Sequence, residues 1–201
     1  MVTAPPRNGR FAEWYSVDNC SMRRGDILYH VVCGAPPAAE AGVFVELAKR
    51  AGWDVCVVAT PLGTRFVDLD GLAELAGRPV RHDYKLPGEP DAFPPANAIA
   101  VAPATFNTVN KLAAGIADTL ALGLLCEYLA LAVPIVIAPN VSPPLARHPQ
   151  YHRSIAELRD WDVRVLDEET APTGPSLGWM QPWRRVLEAL PPPGGSATRA
   201  G

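Results

Sequence analysis

The sequence predicts an α/β protein: a doubly wound parallel sheet of five to six strands with helices on both faces. Three observations carry that reading. Short apolar runs alternate with helix-periodic stretches along most of the chain. The runs are continuously apolar, as strands buried on both faces are. Four of them end in loops marked by proline.

In chain order, residues 1–25 are polar and aperiodic and read as a flexible N-terminal arm. ILYHVVC (27–33) is the first strand, ending in GAPPA. AAEAGVFVELAKRAG (38–52) has helical spacing and closes on Gly52. DVCVVAT (54–60) is the second strand, and LDGLAELAG (69–77) a short helix. AIAVAP (98–103) is the third strand, followed by a nearly charge-free helical stretch that runs past Leu120. VPIVIAPN (133–140) is the fourth strand, HRSIAELRDW (152–161) a helix and VRVLD (163–167) the fifth strand. A last helix is expected from about Trp179 to Leu190. The expected domain is therefore 26–190, and 191–201 reads as a disordered tail by composition.

Composition narrows the function classes. A net charge of -3 over 201 residues gives no electrostatic footprint for nucleic acid. No apolar run reaches the roughly 18 residues of a membrane span. The N-terminal stretch lacks the basic and apolar regions of a signal peptide, so a cytoplasmic location is expected. Cys20, Cys33, Cys56 and Cys126 form no CxxC pair and no cluster with histidine, so no metal site is expected.

In a doubly wound sheet, ligands bind outside the carboxyl ends of the strands. There the chain places Gly34-Ala35-Pro36-Pro37, Thr60-Pro61, Pro103-Ala104-Thr105-Phe106-Asn107-Thr108 and Pro139-Asn140-Val141-Ser142. The first loop is neither GxGxxG nor a P-loop, though a helix start near Ala38 and the hydroxyls of Thr60 and Thr64 suit a single phosphate. Thr105, Asn107, Thr108 and Asn110 pose a sharper question. Small polar groups buried without partners cost about 1–3 kcal/mol each. They either cap the helix or hydrogen-bond a ligand.

The segment PATFNTVNKLAAGIADTL resembles the PASANT segment and following helix of the homo-oligomeric flavin-containing cysteine decarboxylases. That family includes phosphopantothenoylcysteine decarboxylase and the lantibiotic peptide decarboxylases. The match holds at Pro103, Ala104, Asn107 and Thr108, then at Lys111, Ala113, Gly115, Ile116, Ala117 and Asp118. It extends to the strand at 27–33, to VVATPLGTRFVD (57–68) and to VIAPNVSPPLARHP (136–149). The resemblance implies a flavodoxin-like, Rossmann-like fold with FMN at a subunit interface, usually of a trimer. It places Gly34, Ala35 and Thr60 near the phosphate, and Ala104, Thr105 and Asn107 by the isoalloxazine and substrate.

The sequence departs from the family at three places. The family's catalytic histidine lies about fourteen residues before the PASANT proline; here that position falls near Glu89, with Asp91 beside it. His82 lies further upstream, in VRHDYKLPGEP, and a loop rearrangement would be needed for it to substitute. The substrate clamp, PxMNxxMW in the family, reads Pro139-Asn140-Val141-Ser142-Pro143-Pro144-Leu145-Ala146, leaving Asn140 or Ser142 to hold a substrate. Residues 171 to 190 hold no cysteine, so the late acid of the pantothenate-pathway enzyme is missing. The expectation is an FMN-binding flavoprotein that oxidatively decarboxylates a cysteine-containing small molecule or peptide C-terminus. The alternative is an FMN-dependent redox protein for another substrate, or an inactive FMN-binding module. Asn107, His82 and Glu89 are the catalytic candidates.

Overall fold

The structure, a computed structural model, describes residues 26–86, 88, 93–166 and 180–194. The expected arm, Glu89, Asp91 and most of the expected tail lie outside them. Five strands, β1 (Ile27–Val32), β2 (Asp54–Ala59), β3 (Ala98–Ala104), β4 (Ile135–Pro139) and β5 (Arg164–Val165), form one parallel sheet in the order β2-β1-β3-β4-β5. The chain leaves β1 toward β2 on one side and returns to β3 on the other, so the topological switch lies between β1 and β3.

Strand residues alternate between two cores, which is why the runs carry no polar face. Tyr29, Val31, Cys56, Val58, Ile99 and Val101 face a core closed by α3 (Phe106–Ala113), α4 (Leu120–Ala130) and α6 (Pro149–Asp160). Leu28, Val32, Val55, Val57, Ala98 and Ala100 face the other, closed by α1 (Ala41–Arg50), α2 (Leu69–Ala76) and α7 (Met180–Ala189). A short α5 (Pro143–Ala146) follows β4. Among the described residues, no helix is long and apolar enough to cross a membrane.

The alternation slips once. Val101 and Ala104 share a face, because the register against β4 shifts between them. That irregularity sits at the end of β3, directly before the polar tetrad.

Three elements differ from the sequence reading. The expected helix at 38–52 starts as a 3-10 turn, Pro36–Glu40, before α1. The long stretch after β3 is two helices, not one. Gly115 takes the left-handed conformation (φ 65), and Thr119 caps a fresh start by accepting from the Leu122 N–H. Of the expected strand 163–167, β5 keeps Arg164–Val165, while Val163 and Leu166 fall outside it and residue 167 lies outside the described residues.

Candidate functional site

Hydrogen bonds between neighbouring strands tie the four loops into one row. The Thr60 N–H donates to the Val32 carbonyl (2.9 Å), Cys33 N–H to Pro103 (3.2 Å) and Asn140 N–H to Ala104 (2.8 Å). Thr60, Gly34, Ala104 and Asn140 therefore line the carboxyl edge of the sheet across the switch point. That is where a doubly wound fold takes its ligand.

The polar tetrad divides into committed and uncommitted members. Thr105 is the N-cap of α3 and accepts from the Thr108 N–H at 3.4 Å. The two hydroxyls lie 3.0 Å apart, and Thr108 Oγ1 is 3.3 Å from Cys33 Sγ. Burial pushes the Cys33 thiol pKa up, with the Thr108 hydroxyl working the other way. Asn110 Oδ1 accepts from Ser154 Oγ on α6 at 2.7 Å. Capping therefore accounts for Thr105 and Thr108, and helix packing for the Asn110 Oδ1, while Asn110 Nδ2 is buried with no hydrogen-bond partner among the described residues. Asn107 is left: exposed in the first turn of α3, its amide joins no hydrogen bond among the described residues.

The two clamp candidates sit beyond β4. Asn140 is half-buried, and Ser142 is exposed at the N-cap of α5, its hydroxyl making no cap hydrogen bond. His148 has a structural role. It is the N-cap of α6, its Nδ1 accepts from the Gln150 N–H (3.1 Å), and its ring meets Phe106 edge-on.

His82 comes to a cleft beside the loop after β2 by a route that spacing along the chain does not reveal. Arg81 pairs with β2 at Val58, extending the sheet by one residue. The chain then turns across the carboxyl edge toward α4, where Tyr84 OH donates to the Thr119 carbonyl (3.2 Å). The result is a cleft of about 250 Å³ lined by Pro61, Thr64, His82, Asp83, Tyr84, Asp118, Thr119 and Leu120. Lys111 Nζ and Asp118 pair at 2.6 Å on its rim. Of the described residues singled out for catalysis or binding, His82 and Thr64 line this cleft; Thr60 sits at the loop forming one wall. Asp118 lines it too.

The donors present suit a flavin ring better than they suit its phosphate. The exposed Asn107 amide and the backbone N–H groups of Phe106 and Asn107, which lie outside the Thr105 cap, are donors of the kind that flavin ring oxygens and nitrogens need. The first loop offers less. Pro36 and Pro37 have no N–H, while Ala35 N–H donates to Cys33 and Ala38 N–H to Ala35. Thr60 Oγ1 accepts from the Gly63 N–H (3.0 Å), which leaves its proton to donate. Gly34 has another reason to be glycine: a Cβ there would lie 2.5 Å from Leu62 Cγ.

A parallel sheet with polar, proline-marked loops at its switch point defines a doubly wound α/β protein, a class whose ligands bind at that edge. The chain belongs to the flavoprotein family, whose model matches residues 27–191. It is 36% identical over 133 residues to the coenzyme A biosynthesis bifunctional protein CoaBC of Bacillus subtilis (strain 168), covering 63% of this chain and 32% of that protein. It is 44% identical over 67 residues to a cysteine/cysteine sulfinic acid decarboxylase of an unknown prokaryotic organism, covering 33% of this chain and 18% of that protein. The chain thus spans a third or less of the length of these relatives. The crystal structure of the FMN-dependent cysteine decarboxylase SpaF superposes with a TM-score of 0.60 at 21% identity, over 82% of this chain and 96% of that one. These relatives agree with membership of the homo-oligomeric flavin-containing cysteine decarboxylases, and the flavodoxin-like fold is shared.

Reading the sequence alone places Cys33 in the core but misses its contact with Thr108 under the α3 cap, and it misses His30, fully buried in β1. Both residues lie inside the apolar run ILYHVVC, where only a histidine amid aliphatic neighbours hinted at a role.

Proposed function

We propose that the chain is an FMN-binding flavoprotein that oxidatively decarboxylates a cysteine-containing small molecule or peptide C-terminus. The observation that supports it best is the row of strand ends, with the uncommitted Asn107 amide at one side of the switch point and His82 in the adjoining cleft. On this reading Ala104, Thr105 and Asn107 meet the flavin ring, and Gly34, Ala35 and Thr60 lie toward its phosphate. Asn140 and Ser142 face the substrate. FMN, when bound, supplies the acceptor for the two electrons that leave with carbon dioxide and two protons.

His82 is assigned the proton-transfer role that the family gives to a histidine elsewhere in the chain. Imidazole is the side chain best suited to exchange a proton near neutral pH. A carboxylate such as Glu89, anionic there, would repel a substrate carboxylate. The subunits assemble as a homotrimer in this reading. Tyr84, which lines the cleft, and the exposed Leu62, Phe66 and Leu86 on the segments that supply its lining are the surface an adjoining copy would cover.

The test is mass spectrometry of a short peptide ending in cysteine, and of free cysteine, after incubation with the FMN-loaded protein. Loss of carbon dioxide and two hydrogens is expected. His82→Gln is expected to slow it at least about a hundredfold with the flavin spectrum unchanged. An unchanged rate removes His82 from the role. A second reading, an FMN protein of other chemistry or an inactive binding module, is favoured by the clamp, where Val141, Ser142, Leu145 and Ala146 replace the family's residues. Flavin uptake without any product from the wild-type protein selects it.

A further inference from the structure

His30 is an unusual occupant of its position. It lies in the centre of β1, fully buried, with the rings of Phe44 (4.6 Å) and Trp183 (5.9 Å) against it. Burial keeps its imidazole neutral, with a pKa of about 4. Its Nε2 is 2.8 Å from the Ala102 carbonyl oxygen. A carbonyl only accepts, so Nε2 carries the proton, and Nδ1, which has no hydrogen-bond partner among the described residues, is the bare nitrogen. An aliphatic residue would fill this space without leaving a buried nitrogen unpaired.

The partner explains the choice. β1 pairs with β3 as far as Val31 opposite Val101, and β4 pairs with β3 at Val101 and then only at Ala104. Ala102 thus has no register partner on either neighbouring strand. Its buried carbonyl needs a donor, and His30, two residues back on the paired strand, supplies one. On the opposite face Cys33 plays the matching part: its N–H holds the Pro103 carbonyl and its thiol meets Thr108. β1 therefore grips residues 102–108 from both faces of the sheet.

We infer that His30 is a positioning residue for the flavin loop: its Nε2–H fixes the Ala102 carbonyl and so sets where Ala104, Thr105 and Asn107 present their groups. This rests on the flavin reading proposed above, and it deepens that reading by naming a residue that touches neither flavin nor substrate. His30→Phe fills the space and removes the donor; His30→Gln keeps an amide N–H near the position of Nε2.

Three readouts separate positioning from mere stability: FMN dissociation by fluorescence, the visible absorbance and circular dichroism of bound flavin, and amide chemical shifts of residues 104–108. For His30→Phe the expected result is roughly tenfold weaker FMN binding, the ratio one lost hydrogen-bond partner commands, an altered flavin spectrum and shifted 104–108 amides. His30→Gln is expected to restore all three. Affinity, spectrum and amide shifts that stay at wild-type values in His30→Phe overturn the inference, as does a His30→Gln protein no better than His30→Phe. A wild-type protein that takes up no FMN rejects the flavin reading instead. The amide shifts then decide for His30 alone, unchanged shifts overturning it.

Discussion

Asn107 and His30 carry opposite kinds of polarity, and each makes a separate prediction. Asn107 is exposed in the first turn of α3, where a negative charge suits the helix dipole by about 0.3–1 kcal/mol. Asn107→Asp should leave the fold as stable as before, yet place a charge where the proposed flavin ring needs a donor. The expected outcome is an unchanged denaturation midpoint with FMN retention down about tenfold or more, the loss expected of one hydrogen bond. Equal retention in the two proteins removes Asn107 from the site. His30 makes its prediction through pH. Its folded pKa, about 4, lies below the ordinary value of 6.5, so the unfolded chain takes up the proton first. Its contribution is complete above pH 6.5 and is lost as pH falls toward 4, amounting to about 2 kcal/mol by pH 5. Denaturant midpoints at pH 7 and pH 5 should fall further apart in the wild type than in His30→Gln. Equal separations contradict a buried, neutral imidazole.

The segment between β3 and α4 shows how small residues divide a helical pattern. Alanine and leucine continue through 112–122 at good helical propensity, so periodicity alone reads one helix. Gly115 ends α3 in the left-handed region, and nothing lies within 4 Å of where its Cβ would be. Gly115→Ala should therefore cost about 1–2 kcal/mol through backbone conformation alone, read as a shift in denaturant midpoint. Thr105→Ala should cost about 1 kcal/mol for the lost cap, and it also releases Thr108 from a hydroxyl partner. A cost near zero would mean the α3 cap is not what holds the loop. The expected strands β1 to β4 fall within two residues of their observed limits, because runs buried on both faces leave a strong local signal. β5 and the helix break were less legible, since one depends on an edge pairing and the other on a single dihedral angle.

Across the whole molecule, the row of strand ends was readable in advance, because topology alone sends those loops to one edge. The cleft was not. It depends on Arg81 pairing with β2 and on Tyr84 reaching α4, contacts between segments 23 and 35 residues apart that no local pattern encodes. His30 escaped for a related reason: its value lies in a carbonyl 72 residues away. If the exposed apolar side chains on the segments that line the cleft are an assembly surface, sedimentation should give a trimer, and Leu86→Glu should weaken it while the monomer stays folded. A monomeric wild type would leave the site to one chain. A flavin held at the switch point is tested most directly by titrating the purified protein with FMN while recording its visible absorbance. A saturating, structured flavin spectrum that persists through gel filtration is expected. A protein that stays colourless, with FMN eluting apart from it, contradicts flavin binding at this site.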